Sequence, residues 1–165
     1  MIAYTEIESP IGRITLARST AGLCYLALPG LAERLQPFIT HHFPGERLTE
    51  NQTALQVEIA QLGEYFAGTR RSFKLALDLQ TASFFRLALA EVAKVPYGTT
   101  VSYGEIARRL GRPKAVRAVG GANAANPLPI VIPCHRILAG DGRLNGYAGG
   151  LEMKAQLLRL EGLPF

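Results

Sequence analysis

Apolar and polar positions follow two different rhythms along this chain, and the switch between them predicts its elements. Ala3–Glu8 and Arg13–Ala17 read as strands flanking the turn Ser9-Pro10-Ile11-Gly12, and Leu23–Leu28 is a third short apolar segment. Leu31–Thr40 reads as a short helix and His41–Arg47, with Pro44-Gly45, as a loop. Leu55, Ile59, Leu62 and Phe66 recur at helical spacing, which predicts an amphipathic helix over Thr53–Ala67 ended by Gly68. Phe73, Leu75, Leu77 and Leu79 alternate, which predicts a strand over Phe73–Leu79. From Ser83 the rhythm turns helical. Phe84–Val95 carries one apolar stripe, and Ser102-Tyr-Gly-Glu105 is a capping box opening a helix over Ser102–Leu110. Gly111 permits the turn that ends it, and Pro113 suits the first turn of a helix over Pro113–Ala124. Ile130–Ile132 reads as a short buried strand, Gly140–Gly150 as a loop with five glycines, and Leu151–Glu161 as a closing helix. The pattern divides the chain into a 1–82 unit of strands and helix and an 83–165 unit that is mostly helical. The fold class is α/β (α+β), and residues 102–124 form a helix-turn-helix candidate.

Charge sharpens that division. The 165 residues carry 18 Lys+Arg and 13 Asp+Glu, a net +5. Residues 1–82 hold seven basic and eight acidic side chains, whereas residues 83–165 hold eleven and five. The basic excess therefore belongs to the helical half, which points to an anionic partner, nucleic acid first. Two cysteines, Cys24 and Cys134, argue against a secreted disulfide scaffold and for a reducing cytoplasm. No secretory signal and no membrane span are expected, since no apolar run is long enough. Two distant cysteines and three histidines have no metal-ligand spacing, so neither metal nor cofactor is expected.

Three groups of residues carry candidate chemistry. Cys134 stands in Ile132-Pro-Cys-His-Arg136 after an apolar segment, and neighbouring positive charge favours the reactive thiolate. A buried structural cysteine is the alternative, and Cys24, within Leu23–Leu28, fits that description. Arg108, Arg109, Arg112, Lys114 and Arg117 lie within ten positions, followed by a helix of small residues that includes Ala118, Gly121 and Ala122. A smooth helix suits close approach to a narrow groove with an inserted Arg, or else tight packing beneath a solvated charged face. The third group, Arg143-Leu-Asn-Gly-Tyr147-Ala-Gly-Gly150, brings backbone and an aromatic ring close to a ligand or a neighbouring segment.

Together these residues resemble the DNA alkyltransferases that repair O6-alkylguanine. Asn126-Pro-Leu-Pro-Ile-Val-Ile-Pro-Cys134-His-Arg136 is similar to the family's long active-site motif. Pro96-Tyr-Gly98, Ser102-Tyr103, Arg117-Ala-Val-Gly-Gly121 and Tyr147-Ala-Gly-Gly150 match its flanking motifs in order and spacing. Ser9-Pro-Ile-Gly12 and Tyr65-Phe-Ala-Gly68 extend the resemblance into the first half. A Trp frequent in the family's helix is absent, and Leu89 takes its place.

The resemblance implies a ribonuclease H-like N-terminal domain and a C-terminal domain with a winged helix-turn-helix. It implies irreversible, single-turnover transfer of the alkyl group from O6-alkylguanine, and from O4-alkylthymine, in double-stranded DNA after base flipping. Cys134 is then the acceptor, His135 its base through a water, and Glu161 the carboxylate that orients His135. Tyr103 protonates the departing guanine and Asn126 braces the active-site segment. Arg117 enters the base stack from the minor groove, with Arg112, Tyr103, Ala118, Gly121 and Ala122 on the DNA face. Tyr147, Ala148, Gly149 and Ile137 surround the flipped base, with Asn123 at the entrance. A monomer is expected, with cooperative assembly along DNA left open. Two other readings compete: a lesion-binding regulator without chemistry, and a cysteine hydrolase using Cys134 and His135.

Overall fold

A computed structural model describes all residues, Met1–Phe165, as two compact units, Met1–Gln80 and Thr81–Phe165. The first is built on a four-stranded sheet of β1 (Ile2–Ser9), β2 (Gly12–Arg18), β3 (Leu23–Ala27) and β4 (Leu48–Glu50), in the order β3-β2-β1-β4. The β1–β2 hairpin is antiparallel and tight, Ser9 pairing with Gly12. β4 joins β1 in parallel; three residues are too few to show alternation, and the sequence reading left this strand out.

Four consecutive β2 residues, Ile14 to Ala17, are buried, so both faces of the central sheet are covered. On one face Ile2, Ala17 and Cys24 meet Leu35 and Ile39 of α1 (Leu35–His42). The expected helix over Leu31–Thr40 is a short 3-10 turn, Ala32–Arg34, running into α1, which takes His41 and His42 from the expected loop. α2 (Gln56–Phe66) buries Leu62 and Tyr65 and is preceded by a 3-10 turn at Thr53–Leu55.

The alternating segment Phe73–Leu79 is not a strand. It touches β3 through a single bridge, Leu23 to Leu77, with the Leu23 amide on the Ala76 carbonyl and the Asp78 amide on the Leu23 carbonyl. Earlier in the segment a side chain satisfies the backbone instead of a neighbouring strand. Gln61 Nε2 donates to the Lys74 carbonyl at 3.1 Å, and the Lys74 amide donates to Gln61 Oε1 at 2.9 Å. The approach to β3 is close enough to require a glycine: a Cβ at Gly22 would lie 2.5 Å from the Ala76 oxygen.

In the second unit α3 (Ser83–Val92), α4 (Tyr103–Arg109) and α5 (Val116–Ala124) pack on one another. Leu89 is fully buried within this core. Ser102 caps α4 as expected, accepting the Glu105 amide at 3.0 Å. The reciprocal half of the capping box is absent, because the Glu105 carboxylate turns to Arg108 and Arg109. α5 begins three residues later than expected. Pro113 and Lys114 form a turn closed by the Ala115 amide on the Arg112 carbonyl, a turn position that proline's fixed φ favours. β5 (Val101–Ser102) and β6 (Ile137–Leu138) make a two-stranded parallel pair. α6 (Leu151–Leu160) closes the chain. No helix is long and apolar enough to cross a membrane.

Ile130 and Ile132 are buried and Val131 is half-buried, but the segment is not a strand. Ile130 has φ +74, in the left-handed region where a β-branched residue is strained. The Ile132 amide returns to the Leu128 carbonyl at 2.9 Å, making a compact turn.

Gln61→Leu should leave the Lys74 amide and carbonyl unpartnered and lower stability by about 1–3 kcal/mol in urea denaturation. The Lys74 amide should then exchange its hydrogen faster; unchanged exchange would show that Gln61 does not hold this segment.

Candidate active site

Cys134 opens a 3-10 turn, Cys134–Arg136, all three residues of which are buried. Two asparagines hold the segment from its sides. Asn126 Nδ2 donates to the Ile132 carbonyl at 2.9 Å and its Oδ1 accepts the Leu128 amide at 2.9 Å. Asn123, on α5, donates through Nδ2 to the Cys134 carbonyl at 3.1 Å. The turn after α5 therefore keeps its irregular path through side-chain amides.

The His135 ring is fully enclosed. Its Nε2 lies 2.6 Å from Glu161 Oε2, and its Nδ1 is buried without a protein partner. Glu161 sits just past the end of α6 and receives three further hydrogen bonds. Arg136 Nε donates to Oε1 at 2.8 Å, Arg136 Nη2 to Oε2 at 3.0 Å, and the Gly98 amide to Oε1 at 2.9 Å. Burial works against ionisation of this carboxyl, but the His135, Arg136 and Gly98 donors outweigh it and hold it down at about 2. Burial lowers the His135 pKa, with Glu161 opposing. A neutral imidazole beside a carboxylate must donate through Nε2, so its lone pair lies on Nδ1.

One expectation from the sequence is reversed here. Arg136 does not activate the thiol; its guanidinium turns toward Glu161 and the Val95 carbonyl, 2.7 Å from Nη1, and stacks over Tyr97. Burial pushes the Cys134 thiol up to about 11, against the pull of Asn126 and Lys154. The resting sulfur is thus a thiol that needs a base.

Tyr103 starts α4 and donates its hydroxyl to the Asn145 carbonyl at 2.9 Å. Burial raises its pKa, the neighbouring Asn123 amide opposes, and Cys134 raises it further. Tyr103, Asn123 and Cys134 thus form one neighbourhood. On α5, Arg117, Ala118 and Gly121 are exposed, while Arg112 is exposed in the preceding turn and stacks over Phe84 at 5.3 Å. Ala122 is not on that face: with Val119 and Asn123 it lies on the buried side of the helix. Tyr147 and Gly149 are half-buried and Ala148 is exposed in the glycine-rich loop. Ile137 is wholly enclosed in β6 and offers no side-chain surface to a base. No three His, Cys, Asp or Glu side chains converge where they could hold a metal ion.

The sequence reading missed two members of this site. Gly98 supplies both a donor and space: its φ is +72, and a Cβ there would lie 3.3 Å from the Glu161 carbonyl oxygen. Lys154 is completely buried, with Nζ 2.6 Å from the Ile137 carbonyl, 3.0 Å from that of Asn145 and 3.3 Å from that of Gly146. Burial lowers its pKa to about 8, with Cys134 opposing. Its signal in the sequence was a charge three and four residues before Leu157 and Leu158, on the buried face of α6.

Comparison with known proteins gives the family. Residues 83–163 match the family model of the 6-O-methylguanine DNA methyltransferase DNA binding domain, and residues 2–79 match that of its ribonuclease-like domain. A methylated-DNA–protein-cysteine methyltransferase from Mycolicibacterium paratuberculosis is 44% identical, over 98% of this chain and 93% of its own. The Mycobacterium tuberculosis O6-methylguanine methyltransferase structure aligns with a TM-score of 0.85 at 41% identity, over 98% of this chain and 93% of its own. The structure of Mycobacterium tuberculosis OGT in complex with DNA aligns with a TM-score of 0.84 at 38% identity, over 96% and 92%. The chain belongs to the 6-O-methylguanine DNA methyltransferase family.

Proposed function

We propose that this protein removes alkyl groups from O6-alkylguanine, and from O4-alkylthymine, in double-stranded DNA by irreversible transfer to Cys134. The observation that carries the reading is the buried series Cys134, His135, Glu161, in which one carboxylate fixes the imidazole tautomer and leaves Nδ1 as a base. A relative of this chain has been solved in complex with DNA, which supports DNA as the partner.

The step balances with the residues present. His135 Nδ1 takes the Cys134 proton across a bridging water, and Glu161 stabilises the imidazolium that results. The thiolate attacks the alkyl carbon, a sulfur–carbon bond forms, and the carbon–oxygen bond breaks with its electron pair passing to the base. Tyr103 supplies a proton to the departing base and recovers one from solvent. The product is a thioether, which no neighbouring group can hydrolyse, so each chain acts once. Asn126 and Asn123 hold the sulfur-bearing turn still during attack.

The substrate base must leave the duplex to reach a buried sulfur. Arg117 projects from the exposed face of α5 and occupies the vacated space, with Ala118 and Gly121 allowing that face into the minor groove. Tyr147, Ala148 and Gly149 receive the base. In this reading residues 83–165 bind DNA and accept the alkyl group, residues 1–82 are a scaffold, and the protein works as a monomer in the cytoplasm.

Intact mass decides the main point: incubation with duplex O6-methylguanine should add one methyl group per chain at Cys134. Cys134→Ser should gain nothing, and an unmodified parent protein would overturn the reading. Tyr103→Phe should slow transfer from guanine about 10²-fold. It should leave Cys134 alkylation by iodoacetamide, whose leaving group needs no proton, nearly unchanged. Equal loss on both reagents would remove Tyr103 as proton donor. Arg117→Ala should slow reaction with duplex far more than with free O6-benzylguanine and lower the salt slope of DNA binding by about 1. Equal slowing on both substrates would remove the finger role.

A further inference from the structure

Two asparagines hold the cysteine-bearing turn, and the turn does not use them alike. Asn126 has both ends of its amide engaged, Nδ2 on the Ile132 carbonyl and Oδ1 on the Leu128 amide. Asn123 has only one end engaged: Nδ2 donates to the Cys134 carbonyl at 3.1 Å, while Oδ1 is buried and accepts from no protein group. The residue is 8% exposed and lies on the buried side of α5 with Val119 and Ala122. A carbonyl oxygen withdrawn from water and left unpaired costs free energy. Holding the turn needs only the Nδ2 donor, so bracing gives no reason for the spare acceptor.

The place of the amide narrows what Oδ1 can accept. It stands beside the carbonyl of the residue that carries the sulfur and beside the Tyr103 hydroxyl, whose pKa it lowers. A base that gives its alkyl carbon to Cys134 and takes a proton from Tyr103 lies against both groups. Alkylation at O6 leaves guanine without a hydrogen on N1, so N1, N3 and N7 are all acceptors. The exocyclic N2 amino group is then its one source of N–H donors. Alkylation at O4 leaves thymine with N3 and O2 as acceptors and no N–H donor at all. An acceptor such as Asn123 Oδ1 therefore pairs with the guanine lesion and not with the thymine lesion.

We propose that Asn123 is a specificity-determining residue: its Oδ1 accepts a hydrogen bond from the N2 amino group of the flipped O6-alkylguanine and so ranks guanine lesions above O4-alkylthymine. The inference rests on the alkyl-transfer reading and names the chemical group by which that site tells its two substrates apart. The free protein already bears the unpaired oxygen, so the amino group relieves a cost that thymine leaves in place. One amide steadies the sulfur-bearing turn through its nitrogen and reads the base through its oxygen.

The test removes the amino group from the substrate and the oxygen from the protein, singly and together. Transfer to Cys134 is timed by intact mass on two duplexes, one with O6-methylguanine and one with O6-methylhypoxanthine, which lacks only the N2 amino group. The parent should react about tenfold faster with the guanine duplex. Loss of the amino group weakens pairing and eases flipping, so a preference in this direction does not come from the duplex. Asn123→Leu should be slower on both, because the turn loses its Nδ2 donor, and should react with the two at nearly equal rates. A merely structural asparagine would slow both and leave the parent's ratio intact, and that result would overturn the proposal. Equal rates in the parent would overturn it as well. If Asn123→Leu does not fold, Asn123→Ala takes its place in the same comparison. If neither variant folds, the parent's ratio alone decides, a guanine preference supporting the proposal and equal rates overturning it. A parent that takes no methyl group from either duplex would instead overturn the functional reading.

Discussion

The Glu161 carboxylate holds together three parts of the second unit that are far apart in sequence. It accepts hydrogen bonds from Gly98 after α3 and from His135 and Arg136 in the cysteine-bearing turn, while its own backbone ends α6. A buried ion pair is weak evidence for stability, because removing both charges together is often tolerated. Removing only one is different: loss of Glu161 would strand a buried guanidinium, a buried imidazole N–H and a half-buried amide at once. The same carboxylate that organises the turn also chooses the imidazole tautomer, so the architecture and the proposed proton transfer depend on one side chain.

The sulfur is in tension with its surroundings. Burial raises the thiol pKa, which suppresses side reactions with solvent electrophiles, yet the same burial makes a base necessary. The backbone reaching the sulfur is not relaxed either, since Ile130 lies in the left-handed region and Asn126 clasps the segment on both sides of it. A strained turn held by amide side chains keeps its shape without a regular strand or helix beneath it.

Much of this was legible in the chain. The β1–β2 hairpin, the cap at Ser102 and the helical stripe of α3 follow from local chemistry that one sequence displays. The motif around Cys134 pointed, through family resemblance, to the residues that the proposed transfer uses. The failures share a cause: the deciding partner was remote in sequence. Phe73–Leu79 alternates like a strand, but Gln61 satisfies its backbone from α2. Arg136 sits two residues from the cysteine, but a carboxylate 25 positions onward claims it. Ala122 belongs to a smooth helix whose two sides the small residues do not distinguish; only packing against the core separates it from Ala118 and Gly121. Lys154 drew no notice in the sequence because nothing local shows three carbonyls converging on it.

Cys24 has a consequence for chemistry on the other thiol. It is fully enclosed in the first unit, directs Sγ to the Ala17 carbonyl at 3.4 Å, and has its pKa pushed up by burial to about 12. The folded chain thus carries a built-in reference sulfur, silent while the sheet around it stays intact. Modification at Cys24 would report a protein that had opened, and modification at Cys134 alone would report one that had worked.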